Sequence, residues 1–367
     1  MLARALVLAL LGAPLLVGSA VEEEEEHDPQ TGGVVAPPVE DSAAAASVDA
    51  RRQAVDKGLA FLARAQAENQ DGSFPRGKAT EWAPIGVASL GALAFMAGGN
   101  SPGRGPYGRE TELVVEYLLA HADLAEGSKQ LGYISNQGDQ LSRMHGHGFA
   151  TLALTQAYGM APRNPRLERA LAAAVDVIER SQSPEGGWHY APRPVNHEGS
   201  VTICLVQALR AAHNAGIHVD RGVIARAEDY VLALKNEAGL FRYQLDRQDA
   251  SISLTAAAIT TLNMAGRYDG AVIRESVDAI WSGLELRRQS GNQSKFPHYE
   301  RLYLAQAFWQ LSDPTDFERW YAEETPRVLR TQRTDGSWSS RYGASYATAV
   351  NVLVLALPDG LLPIFQR

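Results

Sequence analysis

Four segments of this chain close a helix-like run with a short Gly-x-aromatic turn: Gly72-Ser73-Phe74, Gly186-Gly187-Trp188, Gly239-Leu240-Phe241 and Gly336-Ser337-Trp338. In three of them a polar residue (Gln182, Lys235 or Gln332) stands six positions before the aromatic, and in the first Gln66 stands eight before Phe74. A second apolar, Ala-rich run follows each turn. One unit is therefore helix, turn, helix, and such a unit buries its apolar face only against neighbours. Weaker counterparts at Gly132-Tyr133 and Lys295-Phe296-Pro297 extend the marker aromatics to positions 74, 133, 188, 241, 296 and 338. The mean interval is about 53 residues, in the range of two-helix repeats with their loops. Six units and twelve helices are expected.

The two runs of each unit differ in polarity. First-of-pair segments (51–66, 109–121, 166–182, 222–235, 271–288 and 317–332) keep their charges to one face. Ala170, Ala174, Val177 and Ile178 recur at helical spacing while Glu168, Arg169, Asp176 and Glu179 fall elsewhere. Second-of-pair segments (82–97, 143–159, 198–215, 249–265, 299–311 and 344–357) are nearly free of charge in their middles, as in Thr255-Ala256-Ala257-Ala258-Ile259. A helix apolar on nearly all faces is covered on all faces. The expectation is an all-α (α/α)6 toroid of six helix hairpins, with an outer ring of first helices and an inner ring of second helices. An open solenoid is the alternative, but its ends carry distinct polar caps, and here the terminal units match the marker well.

Ahead of the repeats, residues 5–17 form an apolar run behind Arg4, followed by Gly18-Ser19-Ala20. This reads as a signal peptide over residues 1–20, short for a membrane span, with an uncleaved anchor as the alternative. Residues 21–49 hold nine acidic and no basic residues and read as a disordered linker. The toroid is then residues 50–367, with thirty-three charges of each sign. A formally neutral domain gives no support to nucleic-acid binding. Export to the periplasm or beyond is expected, with membrane contact only through a retained anchor. Cys204, the single cysteine, excludes an intramolecular disulfide and reads as a buried, inert thiol in an apolar run.

Gln332-Arg333-Thr334-Asp335-Gly336-Ser337-Trp338 resembles the glutamine-tryptophan repeat of the squalene cyclase and protein prenyltransferase superfamily, and Gln182-Ser183-Pro184-Glu185-Gly186-Gly187-Trp188 resembles it nearly as well. The chain is similar in particular to the exported bacterial prenyltransferase and squalene oxidase repeat proteins, whose role is unassigned. Met144-His145-Gly146-His147-Gly148-Phe149-Ala150 and the closing Leu362-Pro363-Ile364-Phe365-Gln366-Arg367 carry that likeness. The resemblance implies an α/α toroid over 50–367. In physical terms Phe74, Trp188, Phe241 and Trp338 read as structural staples: the glutamine caps free carbonyls, the glycine turns tightly, and the aromatic plugs the gap between helix pairs.

Functional chemistry is expected where the inner helices begin, because a closed ring gathers those ends around one mouth. Glu81, His145, His147, His197, Glu198, Asp246, Asp249, His298, Glu300, Tyr342 and Tyr346 fall there. Two features stand out as catalytic candidates. His145 and His147, separated by one glycine, could share a metal ion such as zinc if the backbone is extended; on a helix they would splay apart. The competing reading is hydrogen bonding to neighbouring loops. Asp246-Arg247-Gln248-Asp249 matches only the outer acids of the Asp-x-Asp-Asp segment with which the resembled cyclases protonate an alkene, and Asp249 reads more simply as an N-cap. The Asp-x-Cys zinc pair of prenyltransferases is also missing, since Thr202 stands two before Cys204. The leading expectation is therefore a toroid that binds an apolar, isoprenoid-like or lipid ligand, or a protein partner, without turnover. The alternatives are an unassigned lipid-modifying transferase or lyase, and an exported glycan-active enzyme with paired acids at the mouth.

Overall fold

The computed structural model describes residues 48–75, 83–136, 143–160, 164–264, 266–267 and 269–365. Twelve helices follow in order: α1 (Val48–Asn69), α2 (Pro84–Ala97), α3 (Gly108–Ala120), α4 (Arg143–Met160), α5 (Pro165–Arg180), α6 (Gly199–Asn214), α7 (Arg221–Ala233), α8 (Ile252–Met264), α9 (Ala271–Ser290), α10 (Pro297–Trp309), α11 (Thr315–Arg330) and α12 (Ala344–Ala356). A two-residue antiparallel ladder pairs Phe241–Arg242 with Ala250–Ser251. The even-numbered helices each pack on the next, and α12 returns to pack on α2. The odd-numbered helices lie outside them, so the rings close as a toroid. No described helix is long and apolar enough to cross a membrane.

Local sequence sets the two kinds of helix. In α5, Asn164 accepts the Arg166 and Leu167 N–H groups, Pro165 fixes the first turn, and Leu167, Ala170, Leu171, Ala174, Val177 and Ile178 make one buried stripe. Helix α12 has no such stripe, because every residue from Tyr346 to Ala356 is buried. Small residues let the inner helices approach closely: a Cβ on Gly148 of α4 would meet Cys204 Sγ and Leu205 of α6 within 3.0 Å.

The turns join each outer helix to the following one. Gln182 Nε2 donates to the carbonyl of Gly186 at 2.9 Å and to that of Val223, in α7, at 2.8 Å. Gln66 does the same for Gly72 and Glu110 of α3, and Gln332 for Gly336 and Ala54 of α1. Lys235 instead pairs with Glu275 of α9 at 2.6 Å. Gly72, Gly132, Gly186, Gly239 and Gly336 all have positive φ, and a Cβ on any of them would lie within 3.0 Å of a backbone carbonyl oxygen of the next outer helix. Glycine is required there by conformation and by contact. The aromatic then turns inward: Trp188 is buried, donates its indole N–H to the Ile178 carbonyl at 2.7 Å, and donates its backbone N–H to Thr202 Oγ1 of α6.

Among the described residues, side chains of facing inner helices meet across the axis. Gln207 of α6 donates to Gln306 of α10 at 2.9 Å, although α8 stands between those helices in the ring. Tyr303 lies alongside, and all three are 3% exposed or less. At the opposite end from the mouth, the segment Pro363–Phe365 tucks in: Gln156 of α4 accepts the Ile364 N–H, and Leu362, Ile364 and Phe365 are buried.

Candidate functional site

Three polar residues at the starts of α4 and α6, His145, Glu198 and Ser200, form a buried cluster centred on Glu198. This residue N-caps α6 from extended backbone, accepting the Ser200 N–H at 2.9 Å and the Val201 N–H at 2.5 Å. The Ser200 hydroxyl donates to it at 2.8 Å and Tyr243 adds a further bond. Complete burial outweighs these donors and pushes the carboxyl up to about 7. His145 of α4 places Nε2 3.2 Å from Ser200 Oγ and 4.0 Å from Glu198 Oε1. Burial, with His189 nearby, holds its imidazole well below the ordinary value. It is neutral at pH 7, so the His145–Glu198 contact is not an ion pair.

Tyrosines enclose this carboxyl. Tyr190 and Tyr243 bond through their hydroxyls, and burial drives both phenols upward in pKa. Tyr299 of α10 is 2% exposed and its hydroxyl meets no hydrogen-bond partner among the described residues. Chemically, the cluster offers one carboxyl poised to give or take a proton near neutrality. It is not a nucleophile–base–orienter chain, because Glu198 bonds the serine hydroxyl directly and not the far nitrogen of His145.

The expected ring of candidates does not converge on one point. His145 and His147 lie on helix α4 and point apart, so the two imidazoles do not face a common ion. His147 Nδ1 accepts the Ile134 N–H at 3.1 Å and Nε2 donates to the Ala174 carbonyl at 3.0 Å. It stands fourteen residues after Tyr133, as Thr202 does after Trp188 and Thr255 after Phe241, and like them it accepts a backbone N–H of its turn, though from Ile134, one residue past the marker aromatic. His147 therefore belongs to the staple, and burial lowers its pKa to about 4. Among the described residues no group of three His, Cys, Asp or Glu side chains is arranged to hold a metal ion.

Asp246 is exposed on the loop before α8. Asp249 pairs with Arg247 at 2.8 Å and is not the cap of α8; the Ser251 hydroxyl takes that role by accepting the Leu254 N–H. Glu300 turns away from the axis, where Arg287, Ser253 and Ser294 all donate to it. His298 packs on Tyr346, which meets Tyr342, and burial lowers the histidine to about 3. His197 is bonded to Tyr230 at 2.9 Å. Glu81 lies outside the described residues.

The sequence reading missed Ser200, Tyr190, Tyr243, Tyr299 and the axial pair Gln207 and Gln306. A signal for two of them was present, since Tyr190 and Tyr243 each stand two residues after a marker aromatic.

This architecture is a closed α/α toroid, an inner ring of helices within an outer one. No family model matches the chain. Drimenyl diphosphate synthase of Streptantibioticus cattleyicolor is 34% identical over 118 residues, 32% of this chain and 21% of that protein, so the match spans about a fifth of the relative's length. The type II terpene cyclase MstE from Scytonema superposes with a TM-score of 0.56 at 17% identity, covering 86% of this chain and 100% of that one. The GH76A α-1,6-mannanase of Salegentibacter sp. HEL1_6, in an inactive form bearing substitutions at two adjacent aspartates, superposes with a TM-score of 0.60 at 10% identity over 85% and 99%. At such identities these likenesses establish the fold alone.

Proposed function

We propose that this chain is an exported toroid that acts by binding, and that its partner is a protein met on the outside of the ring. The observation that carries this reading is the axis: an isoprenoid-sized ligand would have to displace the Gln207–Gln306 bond and the buried Tyr303 beside it. Breaking a buried amide pair without replacing its hydrogen bonds is unfavourable for an apolar guest. Of the two occupants that the sequence left open, this favours a protein partner. The cyclase acid segment is altered at Gln248, and the prenyltransferase zinc pair at Thr202. The glycan-active alternative shares its fold with the mannanase, but this sequence contains no adjacent pair of aspartates. Export rests on the apolar run at residues 5–17, which lies outside the described residues.

One observation favours the enzymatic alternative. A carboxyl held near neutrality beside Tyr243 and a neutral His145 could serve as an acid if the Tyr190–Tyr243 contact opened. Extraction and turnover measured together test the binding reading. Purified full chain is extracted into organic solvent for mass spectrometry, then incubated with geranylgeranyl diphosphate and with α-1,6-mannotriose. The expected result is no stoichiometric lipid and no conversion. A copurifying isoprenoid, or conversion that disappears in Glu198→Gln, overturns the proposal.

A further inference from the structure

Five of the six seams between outer helices carry a glycine pressed on the next helix. The sixth, between α9 and α11, does not. Arg288, Ser294 and Phe296 repeat the spacing of Gln66, Gly72 and Phe74, so serine stands where the first repeat has its positive-φ glycine. The polar half of the staple is kept, with Arg288 of α9 reaching Glu323 of α11 at 3.4 Å, much as Lys235 of α7 reaches Glu275 of α9. The pressed turn is missing. In its place a cleft of about 440 Å³ runs between α9 and α11 down to Arg301 and Leu304 of the inner helix α10.

From this geometry we infer that the unstapled seam is a binding site for a small hydroxylated carboxylic acid. Its volume is that of a small-molecule pocket. Two of its guanidinium groups are already committed: Arg287 to Glu300, and Arg301 to Glu324 and Asn351. The other two are loosely held. Arg288 stands 3.4 Å from Glu323 and 3.5 Å from Glu285, and Arg327 stands 3.4 Å from Glu324, on opposite walls of the cleft. These contacts are longer than charge-assisted hydrogen bonds, so both guanidinium forks are available to a carboxylate. Glu323, held only at 3.4 Å by Arg288 and 4.0 Å by Arg319, is placed to accept ligand hydroxyls. A cation would meet four arginines. A polyanion would meet Glu300, Glu323 and Glu324. A neutral sugar would find no open aromatic face, since Trp281 is stacked on Phe308 on one side and covered by Arg319 on the other, and Trp320, the second tryptophan of the lining, is buried. This site is independent of the mouth and of whether the toroid turns over a substrate.

Calorimetric titration of the full chain with D-gluconate, and with D-glucose as the neutral match, tests the site. Saturable binding of gluconate is expected, weakened at least tenfold in Arg288→Gln and in Arg327→Gln and unchanged in Asp246→Asn at the mouth. Glucose should bind at least tenfold more weakly. No saturable gluconate binding to the unmodified chain, gluconate binding indifferent to both arginine changes, or glucose binding as tightly as gluconate would each overturn the assignment. Circular dichroism of the two variants, whose arginines are part-exposed at the surface, separates lost binding from lost folding. If both prove unfolded, Ser294→Trp, which fills the cleft from its loop, must abolish binding for the assignment to stand.

Discussion

Gln332 Nε2 donates to the backbone carbonyl of Ala54 at 2.8 Å, joining the last outer helix to the first across almost the whole chain. The adjacent Gly336 lies against Lys57 of the same helix with positive φ. This is the contact that makes a ring out of a row of repeats. Gly336→Ala should therefore cost about 3 kcal/mol, the sum of an unfavourable φ and a backbone clash. Gly216→Ala, also at positive φ but with nothing near its Cβ, should cost about 1 kcal/mol. Urea denaturation of both variants checks the contrast, and equal costs would show that the seam contact contributes nothing.

Trp338 bridges the same closure. Its indole N–H donates to the Val328 carbonyl of α11, and its ring touches the position of Gly58 in α1. Trp338→Ala should lose roughly 3 to 5 kcal/mol, and Phe241→Ala a similar amount, since each leaves a cavity at a fully packed site. Thermal unfolding monitored by tryptophan fluorescence or circular dichroism reads this directly; a loss below about 1 kcal/mol would remove the aromatic from the staple.

Glu198 and the buried histidines drive stability in opposite directions with pH. The Glu198 carboxyl titrates near 7 in the fold and near 4.5 when exposed, so the folded state binds the extra proton between those values. Its contribution is most favourable below pH 4.5 and is lost as pH rises through 7, a change of roughly 3 kcal/mol. His145, His147 and His298 are kept neutral while the unfolded chain protonates at 6.5, so they destabilise the fold as pH falls below that value. The whole protein should therefore be acid-labile. The difference between Glu198→Gln and the unmodified chain isolates the carboxyl: the variant should gain stability relative to it between pH 4.5 and 7 and hold that gain above. A flat difference across that window would mean the carboxyl is ionised throughout.

Cys204 packs against Gly148, and its thiol is pushed well above the ordinary range by burial, with Glu198 adding to the shift. Iodoacetamide should leave it unmodified in the native protein at pH 8 and alkylate it fully in urea, as followed by mass spectrometry. Labelling of the native chain within minutes would show that α4 and α6 separate far more readily than their packing implies.

The repeat count, the alternation of outer and inner helices, and the positions of the turns were all legible in the sequence, because each depends on residues within a few turns of one another. Gln182, Gly186 and Trp188 announce their unit through fixed spacing, and the charge-free middle of α12 announces an inner helix. The candidate site was only partly legible. Glu198 and His145 were identified, but the sequence could not say that His147 faces α5 while its neighbour two residues away faces Ser200. Nor could it say that Gln207 and Gln306 meet on the axis. Those facts depend on which helix stands opposite which, and so on contacts between residues tens of positions apart. Local periodicity fixes the face a side chain lies on, while only the closed ring decides what that face meets, whether water reaches it, and therefore whether a carboxyl such as Glu198 keeps its proton.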